Sequence, residues 1–176
     1  MIHYSKFTIK ITEHLANSSP MKPEDSLGEL SQFDLGLRTF CYEFNRIVIV
    51  RIGDFQFQVP FDPDICILLQ DIHLPEQIKK LAEDKAMRLE FMESADILLM
   101  FYGMGEKVNC RLIKFPADSV KDQFYVLEKA QVLSELKGFL NDVLSMAVDR
   151  GYISLADKDD FIAPAFPERL QSQILV

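Results

Sequence analysis

Residues 128–149 read EKAQVLSELKGFLNDVLSMAVD, and this stretch sets the class of fold. Val132, Leu133, Leu136, Phe139, Leu140, Val143, Leu144 and Ala147 recur at the spacing of one helical face. Glu135, Lys137, Asn141, Asp142 and Ser145 fall on the other side. Arg150 and Gly151 then supply a basic last turn and a glycine stop. A helix this one-sided needs a sheet or a second helix over its apolar stripe, and the upstream segments read as strands.

Lys6–Thr12 alternates, with Phe7, Ile9 and Ile11 on one face, as a half-buried strand does. Arg46–Ile52 and Phe55–Phe61 form the clearest hairpin, turning at Gly53-Asp54. Pro60 has no N–H to donate, so the second strand ends there or lies at an edge. Met87–Met92, Ile97–Tyr102 and Lys107–Phe115 read as further strands, the middle one central, with Gly103-Met104-Gly105 as a turn. Ile113 and Phe115 break the inward parity of Val108, Cys110 and Leu112, which predicts a bulge or an exit from the sheet.

Between these blocks, Asp62-Pro63 reads as a helix N-cap and first-turn proline, with Ile65, Leu68, Leu69 and Ile72 inward. Pro75 opens a second helical stretch to about Lys85. Leu27–Leu37 shows no clear period. Phe40, Tyr42 and Phe44 alternate with Thr39, Cys41 and Glu43, which predicts a core strand, with an aromatic binding surface as the alternative. After Gly151, Asp157, Asp159 and Asp160 read as a solvated acidic turn, and Phe161, Ile162 and Phe166 as pins for a tail that frays from Gln171. The expected fold is α+β: a mostly antiparallel sheet with the long C-terminal amphipathic helix packed on one face. Residues 1–176 are expected to form a single domain, with 155–176 a partly ordered tail.

Composition narrows the function. A 176-residue chain that is 48% apolar, with fourteen phenylalanines, can bury a substantial core. A net charge of -8 opposes binding to nucleic acid or to an anionic membrane, so neither is expected as a partner. Three scattered cysteines, Cys41, Cys66 and Cys110, imply no disulfide framework, and no leader or spanning segment is read, so the cytoplasm is the expected compartment. His3, His14 and His73 stand in no metal-ligand spacing, and Asp157–Asp160 lacks the glycine and distal glutamate of a calcium loop. Gly103-Met104-Gly105 is followed by a strand rather than a helix, so it makes no phosphate cradle. No catalytic residue, cofactor or metal is therefore expected, and the chain reads as non-enzymatic.

The order of elements resembles a known family. A hairpin ends in Val59-Pro60-Phe61-Asp62-Pro63, and a helical stretch and strands around Leu89, Phe91 and Ile97–Phe101 follow. Val108 then leads to Asp122-Gln123-Phe124-Tyr125-Val126-Leu127 and the long helix. Over residues 45–148 this is similar to the small α+β immunity proteins of bacterial polymorphic toxin systems. The first forty residues and the tail have no counterpart there. The resemblance implies a protein that binds a toxin domain and blocks it, acidic groups meeting a basic surface. The loop carboxylates Asp62, Asp64, Glu93, Asp96 and Glu106 are the expected partner contacts. Two other readings stay open. One is a homo-oligomeric adaptor pairing through an exposed strand of the Arg46–Phe61 hairpin. The other is a hydrolase using Asp62, Asp64 and Asp71.

Overall fold

The computed structural model describes residues 4–17, 21–116 and 121–168; His3 and the segment from Gln171 onward lie outside them. Among the described residues, seven strands and five helices make an α+β fold. The first sheet pairs β1 (Phe7–Leu15), β2 (Arg46–Ile52) and β3 (Phe55–Pro60) in that order. The second pairs β4 (Ala86–Phe91), β5 (Ile97–Met104), β6 (Lys107–Lys114) and β7 (Gln123–Glu128). All ladders are antiparallel. A parallel bridge, Ser5 to Leu127, joins the sheets, where the Ser5 amide donates to the Val126 carbonyl at 2.8 Å.

The register explains which face of each sheet is covered. In the first sheet Phe7, Ile52 and Phe55 share a row, as do Ile9, Val50 and Phe57. In the second, Met87, Phe101, Cys110 and Tyr125 do the same. The two apolar faces meet where Phe7 packs edge-on against Phe101 and Phe57 against Phe91, at 5.7 and 5.3 Å between ring centres. The rest of the core is closed by α3 (Leu74–Ala82) and by the long helix α4 (Lys129–Asp149). Val132, Leu136, Phe139, Leu140, Val143, Leu144 and Ala147 of α4 are buried, each aliphatic or aromatic one contributing roughly 1.5–3 kcal/mol. Gly151, at φ 77°, ends that helix as expected.

Several expectations are corrected. Residues 39–44 are not a strand: α1 (Gln32–Glu43) takes in 39–43 with Phe44 as its C-cap, burying Leu37, Phe40 and Cys41 at helical spacing. The Ser31 hydroxyl caps that helix by accepting the Asp34 amide at 3.0 Å. Pro63 starts no capped helix. The Asp62–Pro63 bond is cis, Phe61–Ile65 is an irregular turn, and only the short α2 (Cys66–Gln70) follows. Gly103 and Met104 stay in β5 and the turn is made by Gly105, at φ 64°. Gly103 is needed in the strand because a Cβ there would lie 2.9 Å from Asp84 Oδ1 and 3.0 Å from Asp84 Cα. No bulge interrupts β6, which keeps register with β5 from Lys107 to Lys114. Asp157, Asp159 and Asp160 lie on a helix, α5 (Leu155–Ile162), where Ser154 caps the Asp157 amide at 3.1 Å. Ile162 is buried, and Phe161 packs on Phe33 of α1 at 5.0 Å.

Candidate functional site

The five carboxylates read as partner contacts do not form one site. Asp64 is 1% exposed and accepts a hydrogen bond from the Ser94 hydroxyl on the β4–β5 turn. Burial raises its pKa, against the pull of that hydroxyl and of the Ser94 and Glu93 amides. A carboxyl so enclosed cannot meet a partner, so Asp64 is removed from the contact set. Asp62 is also turned inward: its Oδ2 is buried, and its amide donates to Asn45 Oδ1 at 2.9 Å. Glu93 and Asp96 are exposed on the β4–β5 turn, with Glu93 close to Asp64. Glu106 is exposed at the other end of β5.

Asp62 and Asp71 do line a common pocket of about 260 Å³, with Arg38, Cys66 and Gln70, but Asp64 does not reach it. Its polar groups are engaged with one another. Arg38 Nε donates to Gln70 Oε1 at 2.8 Å, and Gln70 Nε2 donates to the Asp34 carbonyl at 2.9 Å. The Cys66 thiol and then burial hold the neighbouring Cys41 thiol well above its usual range, so it stays protonated at neutral pH. Among the described residues no group of three or more His, Cys, Asp or Glu side chains could hold a metal ion. No helix among them is long and apolar enough to cross a membrane.

The surface that stands out is the outward face of the second sheet. Antiparallel sheets with one face on the core normally alternate to a polar outer face. Here the outer rows carry Tyr102 with Val126, Met100 with Phe124 through Arg111, and Leu98 with Ile113. Phe124 is 72% exposed and Met104 63%, well beyond the scattered apolar residues of an ordinary surface. The two arginines within the patch are already neutralised. Arg88 Nε lies 3.0 Å from Glu90 Oε1, and Arg111 Nε 2.7 Å from Asp122 Oδ2. At the ends of β5, Glu93 and Asp96 lie on one turn and Glu106 on the other, with Lys114 and Lys107 on the adjoining ends of β6.

The sequence hides this face because Phe124–Leu127 is apolar on both parities, as a buried strand would be. A second apolar parity beside the core parity in β5 and β7 is the signal the sequence carries. Set against protein-family models, curated proteins and solved structures, the chain finds no match in any of the three.

Proposed function

We propose that this chain is a non-enzymatic protein-binding domain that meets its partner through the outward face of its second sheet. In the finer form of the reading it is an immunity protein that blocks a toxin. The observation that carries it is the exposed Phe124, Val126 and Tyr102 row system on a sheet whose other face is already spent on the core. The carboxylates of Glu93, Asp96 and Glu106 flank that patch, which favours a partner with an apolar centre and a basic rim. Affinity capture with the native chain, Phe124→Glu and Arg51→Glu tests it. Arg51 is exposed on β2 of the other sheet. A stoichiometric partner held by the native chain and by Arg51→Glu, but lost with Phe124→Glu, is expected. A partner retained equally by all three, or none, overturns it. For the immunity form, the captured protein must be a toxin whose activity the purified chain stops.

A homo-oligomeric adaptor is the second reading, favoured by one fact: β3 is the outer strand of its sheet. A sizing measurement separates the two, because the adaptor self-associates alone.

A further inference from the structure

β1 has an unusual open side. The Gly53 amide donates to the Lys6 carbonyl at 2.9 Å, so Lys6 and Gly53 are a hydrogen-bonded pair. In an antiparallel ladder such pairs alternate, so Thr8 and Lys10 also bond to β2. Phe7, Ile9 and Ile11 then turn their N–H and C=O groups the other way. At Phe7 these groups are taken by one side chain of α4: Gln131 Oε1 accepts from the Phe7 amide at 3.2 Å, and Gln131 Nε2 donates to its carbonyl at 2.6 Å. A primary amide presenting one donor and one acceptor copies what a neighbouring strand would offer. Further along, Arg46 takes the Glu13 carbonyl. Between them, the edge groups of Ile9 and Ile11 have no partner among the described residues.

A groove runs there. A cavity of about 370 Å³ lies between Ile9–Ile11 and Gly138 of α4. A second, of about 460 Å³, continues it past Ile11 and Asp142 to Met146, Phe44 and Asp149. Gly138 keeps the first open: a Cβ there would meet nothing within 4 Å. The walls carry four carboxylates, Glu13, Glu135, Asp142 and Asp149, against Lys10 and Arg46. None of the four has an ion-pair partner among the described residues. Arg46 is already held over the Phe44 ring at 4.3 Å.

We propose that the groove between β1 and α4 takes an extended, basic segment of a separate protein. Its backbone bonds the Ile9 and Ile11 edge groups, as Gln131 bonds Phe7, and its lysines or arginines lie along the α4 carboxylates. This site is separate from the sheet face described above, and neither depends on the other.

Fluorescence anisotropy with a labelled short peptide of alternating valine and lysine tests it on the full chain, with a valine–glutamate peptide as control. The lysine peptide is expected to bind and the glutamate peptide not to. Gly138→Leu fills the groove and should lower the affinity at least about tenfold, while its melting temperature stays level or rises. Ile11→Pro removes one outward N–H, leaves the ladder to β2 intact, and should weaken binding as well. Four results would overturn the proposal: no binding of the lysine peptide, equal binding of both peptides, affinity untouched by Gly138→Leu, or a self-association that Gly138→Leu abolishes. The last would put a second copy of this chain in the groove.

Discussion

Glycine to alanine is the same chemical change at Gly36 and Gly138, both inside helices, and it should have opposite signs. At Gly138, in the middle of α4 and exposed, the added methyl meets nothing within 4 Å. The only effect is to remove backbone freedom from the unfolded chain and raise helix propensity, about 0.5–1 kcal/mol in favour of the fold. At Gly36, in α1, the methyl falls onto the carbonyl oxygen of Tyr152, with the carbonyl carbon at 3.2 Å and Ile153 Cγ2 at 3.3 Å. The two Tyr152 atoms are backbone of the segment after α4, so relief requires α1 to move off it. Overpacking of this kind costs about 1–3 kcal/mol, which exceeds the propensity gain. For a chain of this size each kcal/mol shifts the melting temperature by about 2–4 °C. Thermal melts by circular dichroism should therefore rise by about 1–4 °C for Gly138→Ala and fall for Gly36→Ala. The same sign for both variants would refute the packing of α1 against Tyr152.

Three further outcomes follow from burial. Asp64 has a raised folded pKa, so its favourable protonated form is fully present below the unfolded value of about 3.9 and its stabilisation is lost as pH rises through the folded value. Asp64→Asn stays neutral throughout, so its stability relative to the native chain should improve between about pH 4 and pH 7; an unchanged difference in urea melts at the two ends is the contrary result. Leu136→Ala empties a fully buried position on α4 and should cost about 2–5 kcal/mol in a denaturant titration, while a loss under about 1 kcal/mol would mean the helix is not packed as described. Cys41 and Cys110 are buried, and burial pushes the Cys110 thiol to about 12. A thiol reagent should titrate only Cys66 in the native protein and all three cysteines in denaturant; a second rapidly reacting native thiol contradicts this.

Much of the fold is legible wherever one period dominates. The Arg46–Pro60 hairpin and α4 stand within a residue or two of where alternation and helical spacing put them. The failures come where two signals compete. From Thr39 to Phe44 the aromatic residues alternate like a strand, yet Leu37, Phe40, Cys41 and Phe44 also lie at helical spacing, and the Ser31–Asp34 cap decides for the helix. Phe40 stacks on Phe44 one turn later, at 5.6 Å between centres, which no strand spacing would give. Ser154–Asp157 repeats that cap at the start of α5, and the same signal would have turned the acidic tail into a helix. Ile113 breaks parity for a different reason: it sits opposite Leu98 on an outer face that is itself apolar, so the strand needs no bulge to accommodate it.

The candidate contacts were harder to read than the elements, for a physical reason. A carboxylate in a loop looks exposed in sequence, because its fate depends on what folds back over it. Asp64 is two residues from Asp62 and thirty from Ser94, and it is Ser94, delivered by the β4–β5 turn, that encloses it. The open edge of β1 lies further still from anything a period can reveal. Alternation of Phe7, Ile9 and Ile11 tells which side chains face the core, but the same residues' backbone groups point along the sheet, at right angles to that information. Whether they are paired depends on which element arrives beside them. Here it is α4, joined to β7 and therefore brought alongside β1 by the Ser5–Leu127 bridge. A helix can satisfy an edge only by side chains, one residue in reach per turn. Gln131 does so at Phe7, Ser134 and Glu135 line the groove one turn later, and about two turns on the position is filled by Gly138, which has no side chain to offer. Gly138 thus leaves open space on the face of α4 next to an unpaired strand edge, which is why Gly138→Leu is the substitution that should close it.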